Sequence, residues 1–130
     1  MILYESATAK VEWLEKEKVV LKAFKGYIHG EDLHSAFNSG YEKLKKEKGY
    51  KWLSDNRGLP VYKEEDVTWI NEDWFPRILK AGWKYWALIE PKSAIGEMVM
   101  KKFQFYSDKG VKIQVFNSIE DGLEWLKTCK

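Results

Sequence analysis

The residues best suited to bind a ligand follow two predicted strands at their carboxyl ends. An acid, an amide and an arginine come directly after the segment at 51–54, and a serine follows the apolar segment at 83–89. In open α/β sheets, ligands bind outside the carboxyl ends of the parallel strands. An arginine there grips a carboxylate or phosphate through two parallel hydrogen bonds, and a helix N-terminus adds backbone donors. We therefore predict a ligand-binding group of Asp55, Asn56, Arg57 and Ser93, with His29 and Glu90 at the same edge of the sheet.

The same residues also have a structural interpretation. Asp and Asn side chains bond the backbone of their own turn, and an arginine can tie down the loop that carries it. We favour this interpretation for Asp55, Asn56 and Arg57, because turns recruit these residue types. We also expect residues 55–58, together with Pro60, to end the strand. Neither interpretation requires catalysis.

The chain lacks the patterns that usually carry catalysis or metal binding. No serine stands in a G-x-S-x-G context, and no glycine-rich loop has phosphate-binding spacing. His29 and His34 are five apart, so they lack the i, i+4 spacing of a helical zinc pair. Lys102 falls within a predicted apolar stripe, where burial would lower its pKa, although such a lysine more often extends its ammonium into water. We predict a non-enzymatic protein with no metal and no cofactor, and an enzyme using Asp55 or Lys102 is the last of three hypotheses.

Alternating strands and helices predict an α/β fold. Strand patterns at 10–13 and 19–24 are separated by a charged turn, which predicts an antiparallel hairpin, and Ile2 and Tyr4 are candidates for a short edge strand. The later strands are linked by helices, and such crossovers join parallel strands. We predict one small mixed, mainly parallel sheet of about five strands, flanked by about four helices. The later strands are predicted at 50–54, 83–89 and 111–115, and the helices at 31–49, 65–82, 93–110 and 118–126.

The second helix carries a predicted interaction surface. The stripe expected to face the core is Val67, Ile70, Trp74 and Ile78. Trp69 falls near the opposite side and is expected to be exposed, and exposed tryptophan is a common anchor of protein association. Pro76 removes a backbone donor and is expected to kink the helix near Glu72. We predict an interface formed by Trp69, Asp73 and Pro76, most simply between two copies of the chain.

Composition limits the class of protein. The chain of 130 residues is 45% hydrophobic, which suits a single domain spanning 1–130 and excludes a disordered chain. No apolar run approaches the ~20 residues needed to span a bilayer. The lone Cys129 cannot form an internal disulfide, so we expect a cytoplasmic protein. Basic and acidic residues nearly balance, at 22 and 20, and the basic cluster at 43–51 suits a solvated helix end, so no nucleic-acid partner is predicted.

Nearly the whole chain resembles the STAS domain, also called the SpoIIAA-like fold. The nearest likeness is to uncharacterised bacterial proteins of that superfamily, and it depends on aromatic, structural motifs. These motifs are WLSDNR at 52–57, DWFP at 73–76 and AGWKYW at 81–86. The resemblance implies a small mixed sheet flanked by helices, working as a docking module for a kinase, a sigma-factor regulator or another chain.

The chain departs from the signalling members of that family at their phosphorylated serine. In those members the serine begins the helix after the third core strand, whereas the corresponding stretch here, at 61–66, reads VYKEED. A phosphorylation switch therefore does not carry over. The acids at 64–66 could imitate a phosphate, but acids in a first helical turn stabilise that turn by their position alone.

Two functional hypotheses remain ahead of catalysis. The leading one is a regulatory or interaction domain that forms a dimer with itself or binds a regulatory protein. The alternative is a small-molecule or lipid-binding protein with aromatic walls and an anionic-group site near Arg57. Lipid-transfer folds, with which this superfamily is sometimes grouped, motivate the alternative.

Overall fold

The protein forms one mixed sheet of six strands. A computed structural model describes residues 1–94 and 101–130. The strands lie side by side in chain order, antiparallel from the first to the third and parallel from the third to the sixth. They are β1 (Ile2–Glu5), β2 (Ala9–Leu14), β3 (Val19–Tyr27), β4 (Lys51–Val61), β5 (Tyr85–Ile89) and β6 (Lys112–Phe116). The predicted α/β class and N-terminal hairpin are confirmed. The sheet has one strand more than the five predicted, and this additional strand is the short edge strand β1.

Helices cover both faces of this sheet. They are α1 (Gly30–Glu47), α2 (Glu64–Trp69), α3 (Phe75–Ala81), α4 (Gln104–Asp108) and α5 (Ile119–Thr128). Helix α1 ends as its sequence predicts, because Lys48 adopts a left-handed conformation and its N–H returns to the carbonyls of the last turn. Ser118 caps α5, since its Oγ accepts a hydrogen bond from the Asp121 backbone N–H at 3.2 Å.

A π turn interrupts the predicted second helix. Ile70–Trp74 form this turn between α2 and α3, and the Phe75 N–H bonds the Ile70 carbonyl five residues back. Pro76 has no N–H to offer the Glu72 carbonyl, so the hydrogen-bonding pattern changes where the sequence predicts a kink.

Because of the π turn, the exposed side chains of α2 differ from those predicted. A π turn holds an extra residue, so the residues before it are rotated relative to an unbroken helix. Val67, predicted to face the core, is 38% exposed. Trp69, predicted to be exposed, is half-buried and stacks on the His34 ring at 3.9 Å between centroids. The prediction that the Trp69 side chain is exposed is therefore wrong.

Strand β4 is longer than predicted. Residues 55–58 and Pro60 do not end it; it continues to Val61, because β3 extends alongside and supplies a hydrogen-bonding partner. The turn-forming residues produce register shifts instead, with Leu59 at a positive φ of 52°. Gly58 is required there, since a Cβ at that position would lie 2.6 Å from the Phe24 carbonyl oxygen.

The predicted third helix is confirmed only in part. Ser93, the predicted N-cap, lies in a short 3-10 turn, Lys92–Ala94, and the backbone N–H groups that it would cap lie outside the described residues. The predicted apolar residues Ile95, Met98 and Val99 lie outside the described residues. Phe103 and Tyr106, at the start of α4 and within it, pack against the core as expected.

The larger of two apolar cores lies under α1, α2, α3 and α4. The five tryptophans predicted to be internal are all buried there: Trp13, Trp52, Trp74, Trp83 and Trp86. Gly40 of α1 allows the helix to approach the sheet, because a Cβ at this position would lie 2.8 Å from Cζ3 of Trp52. A smaller core, between the opposite face of the sheet and α5, contains Leu53, Ala87 and Leu126.

Candidate functional site

A cavity of about 610 Å³ lies between the sheet and the helices of the larger core. Strands β3, β4 and β5 provide its floor, and the α2 to α3 segment together with α4 provides its walls. Exposed apolar side chains mark its opening, where Leu59 is 63% exposed, Val61 58% and Phe105 44%. The described rim of the cavity is thus largely apolar.

Tryptophans form much of the wall, and each is held in place. The rings of Trp52 and Trp74 meet edge to face at 5.2 Å, and those of Trp83 and Trp86 at 5.0 Å. The Trp74 indole N–H bonds the Phe37 carbonyl at 2.9 Å. Fixed rings make a pocket that is formed before any ligand arrives.

Ser54 holds two of these rings from the floor of the cavity. Its Oγ accepts a hydrogen bond from the Trp52 indole at 3.1 Å and another from the Trp86 indole at 2.9 Å. This serine is fully buried, so both indole N–H groups depend on it for a partner.

Lys22 is a buried lysine on the same floor. It lies beside Ser54 in the parallel register of β3 and β4, and only 4% of it is exposed. Its Nζ donates to the Tyr62 hydroxyl at 3.1 Å and lies 4.3 Å and 4.7 Å from the ring centroids of Phe24 and Phe37. In the described part of the chain, no carboxylate oxygen lies within ion-pairing distance of this nitrogen.

Burial lowers the pKa of Lys22 to about 7, and the nearby charge of Glu90 only partly opposes this effect. Taking an ammonium out of water disfavours its charged form, whereas a negative charge favours it. The lysine therefore exchanges a proton near neutral pH. It can present either a cation or a neutral amine to the cavity.

Glu90, just after β5, is the acidic residue of the described cavity lining. It is 8% exposed, and burial raises the pKa of its carboxyl above the usual value, although Asn56, Lys102 and Lys22 act in the opposite direction. The Asn56 amide donates to its Oε1 at 3.4 Å. Burial also raises the pKa of Tyr106 to about 12, so this phenol remains a hydrogen-bond donor.

The structure does not bring the four predicted ligand-binding residues together. Side chains alternate along β4, so Asn56 lines the cavity while Asp55 and Arg57 belong to the opposite face with Leu53. Ser93 is exposed on its 3-10 turn and is absent from the described cavity lining. The four residues do not form one group because the strand continues through residue 55, where a turn was expected, and a ligand-binding role for them stays a prediction.

Asp55 and Arg57 bind each other. Arg57 Nε and a terminal guanidinium nitrogen each lie 2.9 Å from an Asp55 carboxylate oxygen, and the Arg57 backbone N–H donates to the same carboxylate at 3.1 Å. Burial acts to raise the pKa of Asp55, but the hydrogen bonds from Arg57 hold it below its usual range. Asp55 thus bonds a nearby backbone N–H and holds Arg57, as the structural interpretation expects, although both residues lie in β4 and not in a turn.

The remaining predicted positions are dispersed. His29 is exposed and stacks on Tyr27 at 4.6 Å between ring centroids, away from Glu90 in the cavity. Asp73 and Pro76 are exposed, and Asp73 pairs with Arg77 at 3.0 Å. Lys102 is exposed where it lines the cavity, which agrees with the favoured interpretation that its ammonium extends into water.

A signal for Lys22 was present in the sequence. It is the one charged residue in the apolar run 19–24, in phase with Val20 and Phe24. Alternation along a strand places residues 20, 22 and 24 on one face, so a lysine there must enter the core.

The arrangement of strands and helices matches a solved structure. Comparison with solved structures finds a crystal structure of an uncharacterised protein of the DUF3478 family from Shewanella loihica PV-4, described as having a SpoIIAA-like fold. The TM-score is 0.65 and the identity 16%, with 95% of this chain and 98% of that chain covered. This chain has a SpoIIAA-like fold. The resemblance stated from sequence is thereby confirmed for the fold, and at this identity the likeness concerns the fold alone.

Comparisons with family models and with curated proteins identify no relative of this chain. No family model matches the chain, and no curated protein matches it. Across residues 1–94 and 101–130, no helix is both long enough and apolar enough to cross a membrane. Within the same ranges, no three His, Cys, Asp or Glu side chains gather as a metal ion would require.

Proposed function

We propose that this SpoIIAA-like protein is a non-enzymatic binding protein for a small molecule with an apolar, ring-containing body and one anionic end. The observation that carries the proposal is a buried lysine on the floor of an aromatic cavity of about 610 Å³. A cavity of this size, mostly apolar with a few convergent polar groups, is the usual form of a small-molecule site. The proposal keeps the alternative predicted from sequence and moves its anionic-group site from Arg57 to Lys22.

The walls favour the apolar part of such a ligand. Offset and edge-to-face contacts between aromatic rings add about 0.5–1.5 kcal/mol to the free energy of burial. Trp52, Trp74, Trp83 and Trp86 already meet one another in this way, so a flat ring can extend their array. Exposed apolar residues at the rim offer the ligand a route from water.

The floor favours the anionic part. A buried ammonium lacks its hydration, and a carboxylate would supply both a charge partner and hydrogen-bond acceptors. Lys22 has Tyr62 as its one hydrogen-bond partner among the described residues, which leaves ammonium hydrogens for an acceptor in the cavity. Burial raises the pKa of Glu90, which acts against the negative charge that would repel an incoming anion.

The test is a pair of matched probes, 2-naphthoate and 2-naphthalenemethanol, titrated against tryptophan fluorescence. Both probes have the same ring system, but only the first has an anionic end. Lys22→Met should weaken 2-naphthoate binding by at least about tenfold, the equivalent of about 1.5 kcal/mol for a charged hydrogen bond, and should leave the alcohol nearly unaffected. The proposed site would be refuted if Lys22→Met weakened the binding of both probes equally, or if the wild-type protein bound neither probe.

Arg57→Ala is the matched control. Arg57 lies on the opposite face of the sheet, where Asp55 holds it, so its loss should not change the affinity for 2-naphthoate. A tenfold loss in this variant would return the site to the position predicted from sequence. The pH dependence gives a second check, because the affinity for 2-naphthoate should fall as the pH rises above about 7 and Lys22 loses its proton.

Self-association and a regulatory protein partner stay predictions. The sequence argument for them used an exposed Trp69, but this indole is half-buried against His34. Asp73 and Pro76 remain exposed for such a contact. Light scattering at high protein concentration decides the matter: a dimer that Pro76→Ala disrupts would support the interface, and a monomer would reject it.

A further inference from the structure

We propose that Lys22 is also a reactive amine, which captures aldehydes entering the cavity as a reversible covalent imine. This inference deepens the proposed function, because it uses the same cavity and assigns a carbonyl compound as a class of ligand. The lysine has three properties that imine formation needs: it lines a cavity with room for a ligand, it is shielded from water, and it has proton-exchanging groups nearby.

The first requirement is an unprotonated nitrogen. An exposed lysine in water is almost wholly protonated at neutral pH and has no lone pair to offer. Burial lowers the pKa of Lys22 to about 7, so a large fraction of the neutral amine exists at that pH. Desolvation in an apolar pocket is a recognised way to activate a lysine nucleophile.

The chemical step balances without an oxidant or reductant. The Nζ lone pair attacks the carbonyl carbon, the C–N bond forms, and the electrons of the C=O π bond move to oxygen. The nitrogen gives up a proton and the oxygen gains one, which yields a carbinolamine. Protonation of that hydroxyl releases water and the C=N bond forms, so that amine and aldehyde become imine and water.

The cavity contains groups that can carry these protons. The Tyr62 hydroxyl lies 3.1 Å from Nζ, and the Glu90 carboxyl lines the same cavity, where burial raises its pKa. Tyr106 and Lys102 are the other titratable groups of the described lining. Burial raises the pKa of Tyr62, so this hydroxyl stays protonated and can donate a hydrogen bond to the attacked oxygen, whereas the Glu90 carboxyl is the group suited to transfer protons.

The surroundings also favour the product. A protonated imine is a cation at the place of the former ammonium, beside the faces of Phe24 and Phe37. The released water leaves a cavity with mostly apolar walls, which opposes hydrolysis of the imine. An imine on a solvent-exposed lysine lacks both effects.

The experiment traps the imine in the intact protein. The chain is incubated with 2-naphthaldehyde and sodium cyanoborohydride at neutral pH, and peptide mapping by mass spectrometry locates the reduced secondary amine. We expect the Lys22 peptide to be labelled at least about tenfold faster than the peptide containing the exposed Lys127, since burial gives Lys22 a large neutral fraction near pH 7 and an exposed lysine in water is almost wholly protonated. An excess of 2-naphthoate should suppress labelling at Lys22 and leave labelling at Lys127, which lies outside the cavity lining, unchanged.

Other outcomes overturn the inference, and they are distinct from failure of the proposed function. Labels on exposed lysines without a label on Lys22, while 2-naphthoate still binds, would reject the imine and leave the binding site intact. If Lys22 is not labelled and 2-naphthoate does not bind, both the imine and the proposed binding site are rejected. Lys22→Arg keeps the charge but cannot form the imine, so this variant should bind 2-naphthoate and give no trapped adduct at position 22. An adduct elsewhere in the cavity of this variant would assign the chemistry to another residue.

Discussion

Replacing Lys22 by methionine should stabilise the protein, because it removes a buried charge and keeps an apolar chain of similar length. Burial lowers the pKa of Lys22 from 10.5 to about 7, which at about 1.4 kcal/mol per pH unit corresponds to about 5 kcal/mol of folding free energy. Methionine leaves the Tyr62 hydroxyl without its donor, which subtracts about 1 kcal/mol. We therefore expect Lys22→Met to raise the free energy of unfolding by about 4 kcal/mol below pH 7.

The gain should disappear as the pH rises. Between pH 7 and 10.5 the unfolded chain keeps the proton on Lys22 and the folded chain releases it, so the folded wild type binds fewer protons. Stability of the wild type then increases with pH, since the state that binds fewer protons is favoured as protons become scarce. The difference between variant and wild type should shrink by up to about 1.4 kcal/mol per pH unit across this window.

The assay is urea denaturation at a series of pH values, followed by tryptophan fluorescence. The difference between the two proteins cancels titrations common to both, such as that of Tyr106, whose pKa is raised by burial alone. Lys102→Met, at an exposed lysine, should change stability by no more than about 0.5 kcal/mol. A Lys22→Met variant that is less stable than wild type at acidic pH, or a difference that does not vary between pH 7 and 10, would refute the account of Lys22.

Two further substitutions test the packing around the cavity. Ser54→Ala removes the acceptor of two buried indole N–H groups and should destabilise the fold by about 2–5 kcal/mol in urea denaturation, whereas Ser93→Ala, at an exposed serine, should have little effect. Equal effects would contradict the role given to Ser54. Gly40→Ala forces a methyl group against a buried indole and should cost about 1–3 kcal/mol. Gly49→Ala meets only ordinary contacts of 3.5 Å or more, so a loss as large as that of Gly40→Ala would show that close packing is not the cause.

The fold could be predicted from sequence because its signals are local. Apolar alternation indicated the strands, and the glycine, serine and acidic residues at helix ends indicated boundaries such as the cap at Ser118. Burial of the five core tryptophans followed from their phase along strands and helices. These features depend on neighbours within a few residues, which the sequence displays directly.

The site could not be predicted as well, because it depends on tertiary contacts. Residues 55–58 have turn-forming side chains, yet β3 extends beside them and keeps them in a strand, which separates Asn56 from Asp55 and Arg57. The π turn before Pro76 rotates α2, so the apparent helical stripe did not show which face Trp69 occupies. Lys22 was detectable as a charge in an apolar run, but its place beside Tyr62 and Glu90 required the folded chain.

The most direct test of the binding site is a crystal structure of the protein with 2-naphthoate. We expect the carboxylate within hydrogen-bonding distance of Nζ of Lys22 and the naphthalene ring against the tryptophans that line the cavity. A probe bound at Arg57 or on the surface, with nothing beside Lys22, would contradict the account.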